Sequence, residues 1–569
     1  MEPVILFYGT FVDLPRTKSG KKHALSIKHG ALWVSSSTGR ISGFDWSVSG
    51  EEELQALIQK NGWNQSGVEI VRSREDENEF FFPGFIDTHI HAPQYPNSGL
   101  FGSSTLLDWL ETYTFPLESS LSDLSKARRV YDTVISRTLA NGTTYAAYYA
   151  TIHVPATNLL ATLCHNRGQR ALIGRVCMDN PAFCPEYYRD ESAEQSTAAT
   201  KETIEHIHSL KSDLVQPILT PRFAPTCSPE SLASLGKLAA SHSPPLHIQT
   251  HISENLSELA LVKELFPSYD NYSSVYDAFS LLTPRTILAH AVHLTPSEKQ
   301  LIASRKTKVS HCPSSNSALG SGLAPVRSLL DAGIQVGLGT DVSGGYSPSI
   351  LEGARQACLV SRLLRHTASS VAGGSGAAAA AASESNTQVA APEVSSSDDE
   401  NAEHLEKEEH KDEKKGGREV LSVEETLYLA TRGGAAVVDM PDELGGFEVG
   451  MYWDVQLIRL GPSTESREPL SQLNSSSTSS SDSVVDVFGW ENWTEKVHKW
   501  VWTGDDRNVK KVWVGGRLVH SLQDSSIIQS ARNGLIDPGS WLKTRDWGRW
   551  AVGGMGVAAA GLVFGRRWR

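Results

Sequence analysis

Phe81-Phe82-Pro83-Gly84-Phe85-Ile86-Asp87-Thr88-His89-Ile90-His91 opens a long, regular stretch of the chain. It is a short apolar run, and a helix-length segment follows it. The same alternation recurs to about residue 350. The later runs are TTYAAYYATIH (143–153), RALIGRVCMD (170–179), LVQPILTPRF (214–223), PLHIQTHISE (245–254), RTILAHAVHL (285–294), KTKVSHCPSSN (306–316) and IQVGLGTDVS (334–343). Short β-branched runs separated by helical patterns predict parallel strands with crossover helices. Eight such units predict an α/β protein built on a closed (β/α)8 TIM-type barrel, with an open doubly wound sheet as the alternative.

Helix-start chemistry agrees with this reading. Thr295-Pro296-Ser297-Glu298 supplies a cap, a first-turn proline and a capping-box glutamate. Ser228-Pro229 opens another helix, with Leu232, Leu235 and Leu238 on one stripe. Ser422 and Glu425 repeat the capping box.

The flanks differ. VILFYGTFVDL (4–14) and ALSIKHGALWVS (24–35) read as strands, and VWVGGRLV (512–519) reads as a hairpin with a Gly-Gly turn. Residues 1–80 and 438–522 are therefore expected to pair into one small composite β domain beside a barrel over 81–437. Residues 367–418 (alanines, SSSDDE, EKEEHKDEKK) and the serine-rich 463–484 have too little apolar content to offset ordering entropy, and they read as disordered insertions. In the tail 523–569, the apolar run 550–565 is shorter than the about 20 residues a spanning helix needs, so a membrane anchor is the weaker reading there.

A net charge of −13 argues against nucleic acid or an anionic membrane as the main partner. The six cysteines form no CxxC pair, which disfavours a disulfide framework. The start of the chain carries no signal-peptide pattern, so a cytoplasmic protein is expected.

Asp87-Thr88-His89-Ile90-His91 carries the strongest chemical signal. Side chains alternate along a strand, so His89 and His91 project from one face and can converge on one cation. His206-Ile207-His208 has the same spacing, but Ile204, Ile207 and Leu210 mark a helix there, where i and i+2 diverge. Active sites of such barrels gather at the C-terminal ends of the strands. His251 ends the fifth run, His290 the sixth and Asp341 the eighth. Catalytic zinc takes three protein ligands and a water, and the candidates outnumber that set, which calls for a five-coordinate site or for a member outside the coordination sphere. Glu254 follows His251 by three residues, where it either moves protons or caps the next helix.

Taken together, PGFIDTHIHAPQY, LLDWLETYTFP, ANGTTYAAYYATIH, TPRFAPTC, HIQTHISEN, ILAHAVHL, SHCPSSNSAL and GLGTDVSGGYS resemble the guanine deaminases of the amidohydrolase superfamily. HAPQY, TYTFP and TPRF are the more specific segments; PGxxDxHxH, HxxE and GTD indicate only the superfamily. The likeness covers about 5–365 and 420–520. It implies a composite β-sandwich domain beside the barrel and a homodimer. It implies one Zn2+ per chain held by His89, His91, His251 and Asp341, with His290 touching the reacting water or the substrate. It further implies guanine as the small-molecule substrate, deaminated by hydrolysis to xanthine and ammonia in purine catabolism. Zinc-bound hydroxide would attack C2 and Glu254 would shuttle protons. Gln94, Arg222 and Phe223 would contact the purine beside His91, His251, Glu254 and Asp341. Arg222, always charged, suits the O6 acceptor of guanine and mismatches the amino group of adenine. Its other reading is a strand-end salt bridge, and Phe223 reads alternatively as core filling. The absence of PCxxC disfavours a deaminase of bases in nucleic acid. Two alternatives stay open at this level: an amidohydrolase acting on another aminated or chlorinated heterocycle, and a non-catalytic scaffold on the same barrel.

Overall fold

The structure, a computed structural model, describes residues 3–16, 23–63, 68–100, 102, 104–372, 419–466 and 483–522. The expected insertion over 367–418 lies outside the described residues from 373 onward. So do most of the serine-rich segment 463–484, at 467–482, and the tail 523–569 with its apolar run 550–565. Among the described residues, no helix is long and apolar enough to cross a membrane.

The chain begins with β1 (Val4–Asp13), β2 (Ser26–Ser35), β3 (Ile41–Asp45), β4 (Glu69–Arg72) and β5 (Glu79–Pro83). β1 and β2 pair antiparallel over their full ten residues, while β4 and β5 lie parallel to β1. The barrel strands come next: β6 (Phe85–His91), β7 (Thr143–Tyr149), β8 (Arg170–Gly174), the short β9 (Val176–Cys177), β10 (Val215–Pro221), β11 (His247–Ile252), β12 (Thr286–His290), β13 (Lys308–His311) and β14 (Val336–Leu338). The chain then returns to the first sheet with β15 (Val455–Arg459), β16 (Val509–Val514) and β17 (Arg517–Ser521).

The two ends of the chain meet in one eight-stranded sheet of order β17-β16-β15-β5-β1-β2-β3, with β4 beside β1. β15 pairs antiparallel with β5, and this pairing joins the C-terminal strands to the N-terminal ones. Gly515 and Gly516 both have positive φ, 53° and 73°, as a tight two-residue hairpin turn between β16 and β17 requires. Alternate side chains of these strands, Phe7, Phe11, Phe81, Val455 and Trp513, pack with Trp453 into one aromatic core. The rings of Phe7 and Trp453 lie 4.1 Å apart.

The barrel strands are parallel in the order β6-β7-β8-β10-β11-β12-β13-β14, one in each of the eight expected runs. The last strand meets the first through the backbone: Asp341 N–H donates to His89 O (2.9 Å) and His91 N–H to Val342 O (3.1 Å). Thr88 Oγ1 adds a bond to Leu338 O (2.9 Å). β6, β7 and β8 are buried at every residue, as strands covered on both faces must be. The helices begin where the caps predict: Pro229–Ala240, Pro296–Ser304 and Val423–Tyr428 are capped by Ser228, Thr295 and Ser422. The helix after β14 runs Ile350–Ala372, several residues into the stretch expected to be an insertion.

Candidate active site

The C-terminal ends of the barrel strands bring the expected residues together. In β6 the alternation places His89 and His91 on one side, and β11, β12 and the turn after β14 deliver His251, His290 and Asp341. One ligand atom from each of His89, His91, His251 and Asp341 lies within 4.8 Å of the other three, so the four could hold a metal ion. The rejected pair, His206 and His208, sits on the helix Ala193–Ser209 away from this cluster. Ser253, His290, Ala291 and Asp341 adopt φ of 49°, 75°, 51° and 47°. Non-glycine residues rarely adopt such angles, and strained backbone of this kind concentrates at functional sites.

Hydrogen-bond partners set the direction of the lone pairs. His89 Nδ1 donates to Gln249 Oε1 (2.8 Å), and His251 Nδ1 donates to Arg222 O (2.6 Å). Each imidazole then presents Nε2 as a bare lone pair. His251 Nε2 faces His91 Nε2 at 3.1 Å, and His89 Nε2 faces Asp341 Oδ1 at 3.1 Å. Asp341 Oδ1 is also 3.4 Å from His91 Nε2. An imidazole lone pair of His89 facing a carboxylate oxygen in a buried site favours a cation between them. Burial first, and then the neighbouring imidazoles, hold the His91 and His251 pKa values well below the ordinary histidine value, so both are neutral, as a ligand must be. Burial pushes the Asp341 carboxyl up, but the imidazole edges around it, that of His89 first, outweigh burial and hold Asp341 below the usual carboxylate range.

Glu254 and His290 complete the rim. His290 Nε2 lies 3.4 Å from Glu254 Oε2 and 3.8 Å from Asp341 Oδ2, outside the four-residue cluster. Asn316 Oδ1 accepts from His290 Nδ1 at 2.8 Å, fixing the ring. Ser321 Oγ donates to Glu254 Oε1 at 2.8 Å. Glu254 is not the helix cap: Asn255 caps Leu256–Leu265, with Glu258 as its capping-box partner. Burial, and next the negative charge of Asp341, push the Glu254 carboxyl up to about 8. A carboxyl poised this near neutrality can both take up and return a proton.

A cavity opens beside this cluster, lined by His91, Gln94, Arg222, Phe223, His251, Glu254, His290 and Asp341, with Leu106, Trp109, Leu110, Glu258 and Leu319. Every expected substrate-side residue is thus present in one pocket. Arg222 also makes the salt bridge that was its other reading: Nη1 and Nη2 lie 2.7 and 3.1 Å from the two oxygens of Glu118. Phe223 is likewise both wall and core, packed with Leu106, Trp109, Leu110, Phe115 and Leu319. Sequence reasoning missed Glu118, Gln249, Asn316 and Ser321, and it missed the apolar wall of Leu106, Trp109 and Leu110. The wall lies within LLDWLETYTFP, a segment notable in the sequence as a motif but without roles for its residues.

Comparison with known proteins agrees with this geometry. The amidohydrolase family matches residues 80–389. A probable guanine deaminase of Schizosaccharomyces pombe is 46% identical over 466 residues, covering 81% of this chain and 76% of that protein. The guanine deaminase of Dictyostelium discoideum is 39% identical over 82% of this chain and 88% of its own. The crystal structure of guanine deaminase from C. acetobutylicum, with guanine bound in its active site, superposes with a TM-score of 0.69 at 28% identity, over 91% of this chain and 100% of that one. The chain belongs to the amidohydrolase family and, within it, to the guanine deaminases, hydrolases that act on C–N bonds.

Proposed function

We propose that this barrel binds one Zn2+ through His89, His91, His251 and Asp341 and deaminates guanine to xanthine and ammonia in purine catabolism. One observation carries the reading: a largely buried set of three imidazoles and a carboxylate lies beside a pocket lined by two polar groups, Arg222 and Gln94, that can offer N–H donors. Three nitrogens and one oxygen suit zinc, and the orphaned Nε2 of His89 fits a ligand role. When bound, zinc lowers the pKa of a water from about 15.7 to about 7 and so supplies a nucleophile at neutral pH.

The chain's own residues do the rest. Arg222 donates to O6 of guanine and Gln94 to the purine edge, while Phe223 packs against the ring and His91 and His251 border it. Asp341 and His290 orient the water that adds to C2. Glu254 takes one proton from that water and places it on a ring nitrogen, and then carries the second, from the new C2 hydroxyl, to the amine as the C2 carbonyl forms. The C2–N bond breaks, and ammonia and xanthine leave.

The test is ammonia release from guanine, adenine and cytosine, with zinc quantified in the same sample. Release from guanine alone, lost in His89→Ala and Glu254→Gln, is the expected result. One zinc per chain without guanine turnover would overturn the substrate, and turnover without bound metal would overturn the zinc site.

A further inference from the structure

Glu118 is fully buried at the end of the segment that walls the pocket, in the short helix Phe115–Ser119. Its carboxylate gathers four hydrogen bonds. Arg222 gives two, Gln94 Nε2 gives one to Oε1 at 2.8 Å, and Tyr188 Oη gives one to Oε2 at 2.7 Å. Arg222 follows β10 and Gln94 lies in the turn after β6, and they meet on the one carboxylate. A carboxylate only accepts, so Gln94 must turn its NH2 toward Glu118. The amide oxygen is then turned to the Ser343 N–H, 3.3 Å away. What Gln94 and Arg222 have left to offer the pocket is N–H. Glu118 therefore dictates the position of both groups and, for the Gln94 amide, the sign of the hydrogen bonds it can make.

We propose that Glu118 is a specificity-determining positioning residue, which holds Arg222 and Gln94 as a donor-only pair and so selects purines with an acceptor at C6. The inference rests on the reading of Arg222 and Gln94 as substrate contacts. Its logic is that of unpaired polar groups: a site built from donors is satisfied by a carbonyl and left unsatisfied by a C–H or an amino group. Glu118 itself touches no reacting atom; it acts through its two partners.

Glu118→Gln breaks this arrangement with almost no change of volume. The new amide donates as well as accepts, so it opposes one arm of Arg222 and frees Gln94 to rotate. The measurement is steady-state turnover of guanine and of 2-aminopurine, which keeps the C2 amino group and lacks the 6-oxo group. In Glu118→Gln, kcat/KM for guanine falls about 10- to 100-fold, mainly through KM, as expected for loss of a hydrogen bond to a charged group. The value for 2-aminopurine falls by no more than about 3-fold, and bound zinc stays at the wild-type level. Equal losses for the two purines would make Glu118 merely structural and overturn the inference, and so would no loss for either. Wild-type protein that fails on guanine would overturn the functional reading instead, so the two failures are distinguishable. Should Glu118→Gln not fold, Tyr188→Phe removes a single donor and leaves the ion pair intact. It raises KM for guanine by about 3-fold and leaves that for 2-aminopurine unchanged, and equal or absent changes count against the inference in the same way.

Discussion

His247 and His251 stand four residues apart at opposite ends of β11, and their surroundings treat them in opposite ways. At the N-terminal end, His247 Nε2 lies 3.1 Å from Asp439 Oδ2, and Arg285 Nη2 donates to His247 Nδ1 at 3.0 Å. Lys308 binds the other oxygen of Asp439. Each ring nitrogen of His247 and each oxygen of Asp439 has a partner there. At the C-terminal end, His251 Nε2 meets another imidazole nitrogen, and His89 Nε2 meets a carboxylate oxygen. Both ring nitrogens of His247 are held by protein partners, whereas the second cluster could hold a metal ion. The same strand therefore ends in an ion network below and the candidate metal site above, the end of such barrels where chemistry usually gathers.

The sharpest way to break that contrast is to truncate both histidines. His251→Ala is expected to lose bound metal and at least about 10³-fold in kcat, several kcal/mol of transition-state stabilisation. His247→Ala is expected to keep kcat and metal while losing about 1–3 kcal/mol of unfolding free energy, because Asp439 loses a partner. Equal kcat losses in the two variants would erase the distinction between the barrel ends. Next in size, Glu254→Gln should cost about 10²–10⁴-fold in kcat with zinc content unchanged, measured by ammonia release and metal analysis.

A pH-dependent effect follows from Glu258, which lies beneath Glu254. Burial, and next the charge of Glu254, push its carboxyl up to about 7, against 4.5 in the unfolded chain. The folded state thus binds this proton more tightly than the unfolded state. The contribution is fully present below about pH 4.5 and is lost as pH rises through about 7. Glu258→Gln has no proton to lose and keeps an oxygen for the backbone N–H groups of Glu254 and Asn255, which Glu258 Oε2 now accepts. Between pH 5 and pH 8 the wild type should lose up to about 3 kcal/mol relative to the variant, read by urea unfolding. A constant difference would mean that Glu258 titrates normally. The smallest effect concerns Gln249, which holds His89 Nδ1. Gln249→Leu should weaken zinc binding by about 10- to 100-fold in competition with a chelator, with little change in kcat once the metal is saturating.

The residues legible in the sequence share one property: local spacing suffices to place them. His89 and His91 are two apart on a strand. His251, His290 and Asp341 end strands whose β-branched runs stand out from the helices. Ser228, Thr295 and Ser422 announce helices by chemistry within four residues. Glu118 offers no such cue. It sits in a short helix behind a π-helical turn, Leu110–Thr114, and its partners lie 24, 70 and 104 residues away. Gln249 and Asn316 are similar: a glutamine in a strand and an asparagine in a helix turn are ordinary in sequence, and only the ring each one holds gives it a role.

Sequence alone determined the order of the eight strands, the face that carries the histidines, and the strand ends where the chemistry gathers, because side-chain alternation and capping are set by neighbours along the chain. Tertiary structure alone decided which way each lone pair points and which acid binds Arg222. It also decided which histidine of β11 joins an ion network and which joins the cluster that could hold a metal ion. Those properties depend on hydrogen-bond partners contributed by different strands, and such partners exist only once the first and last strands of the barrel have met.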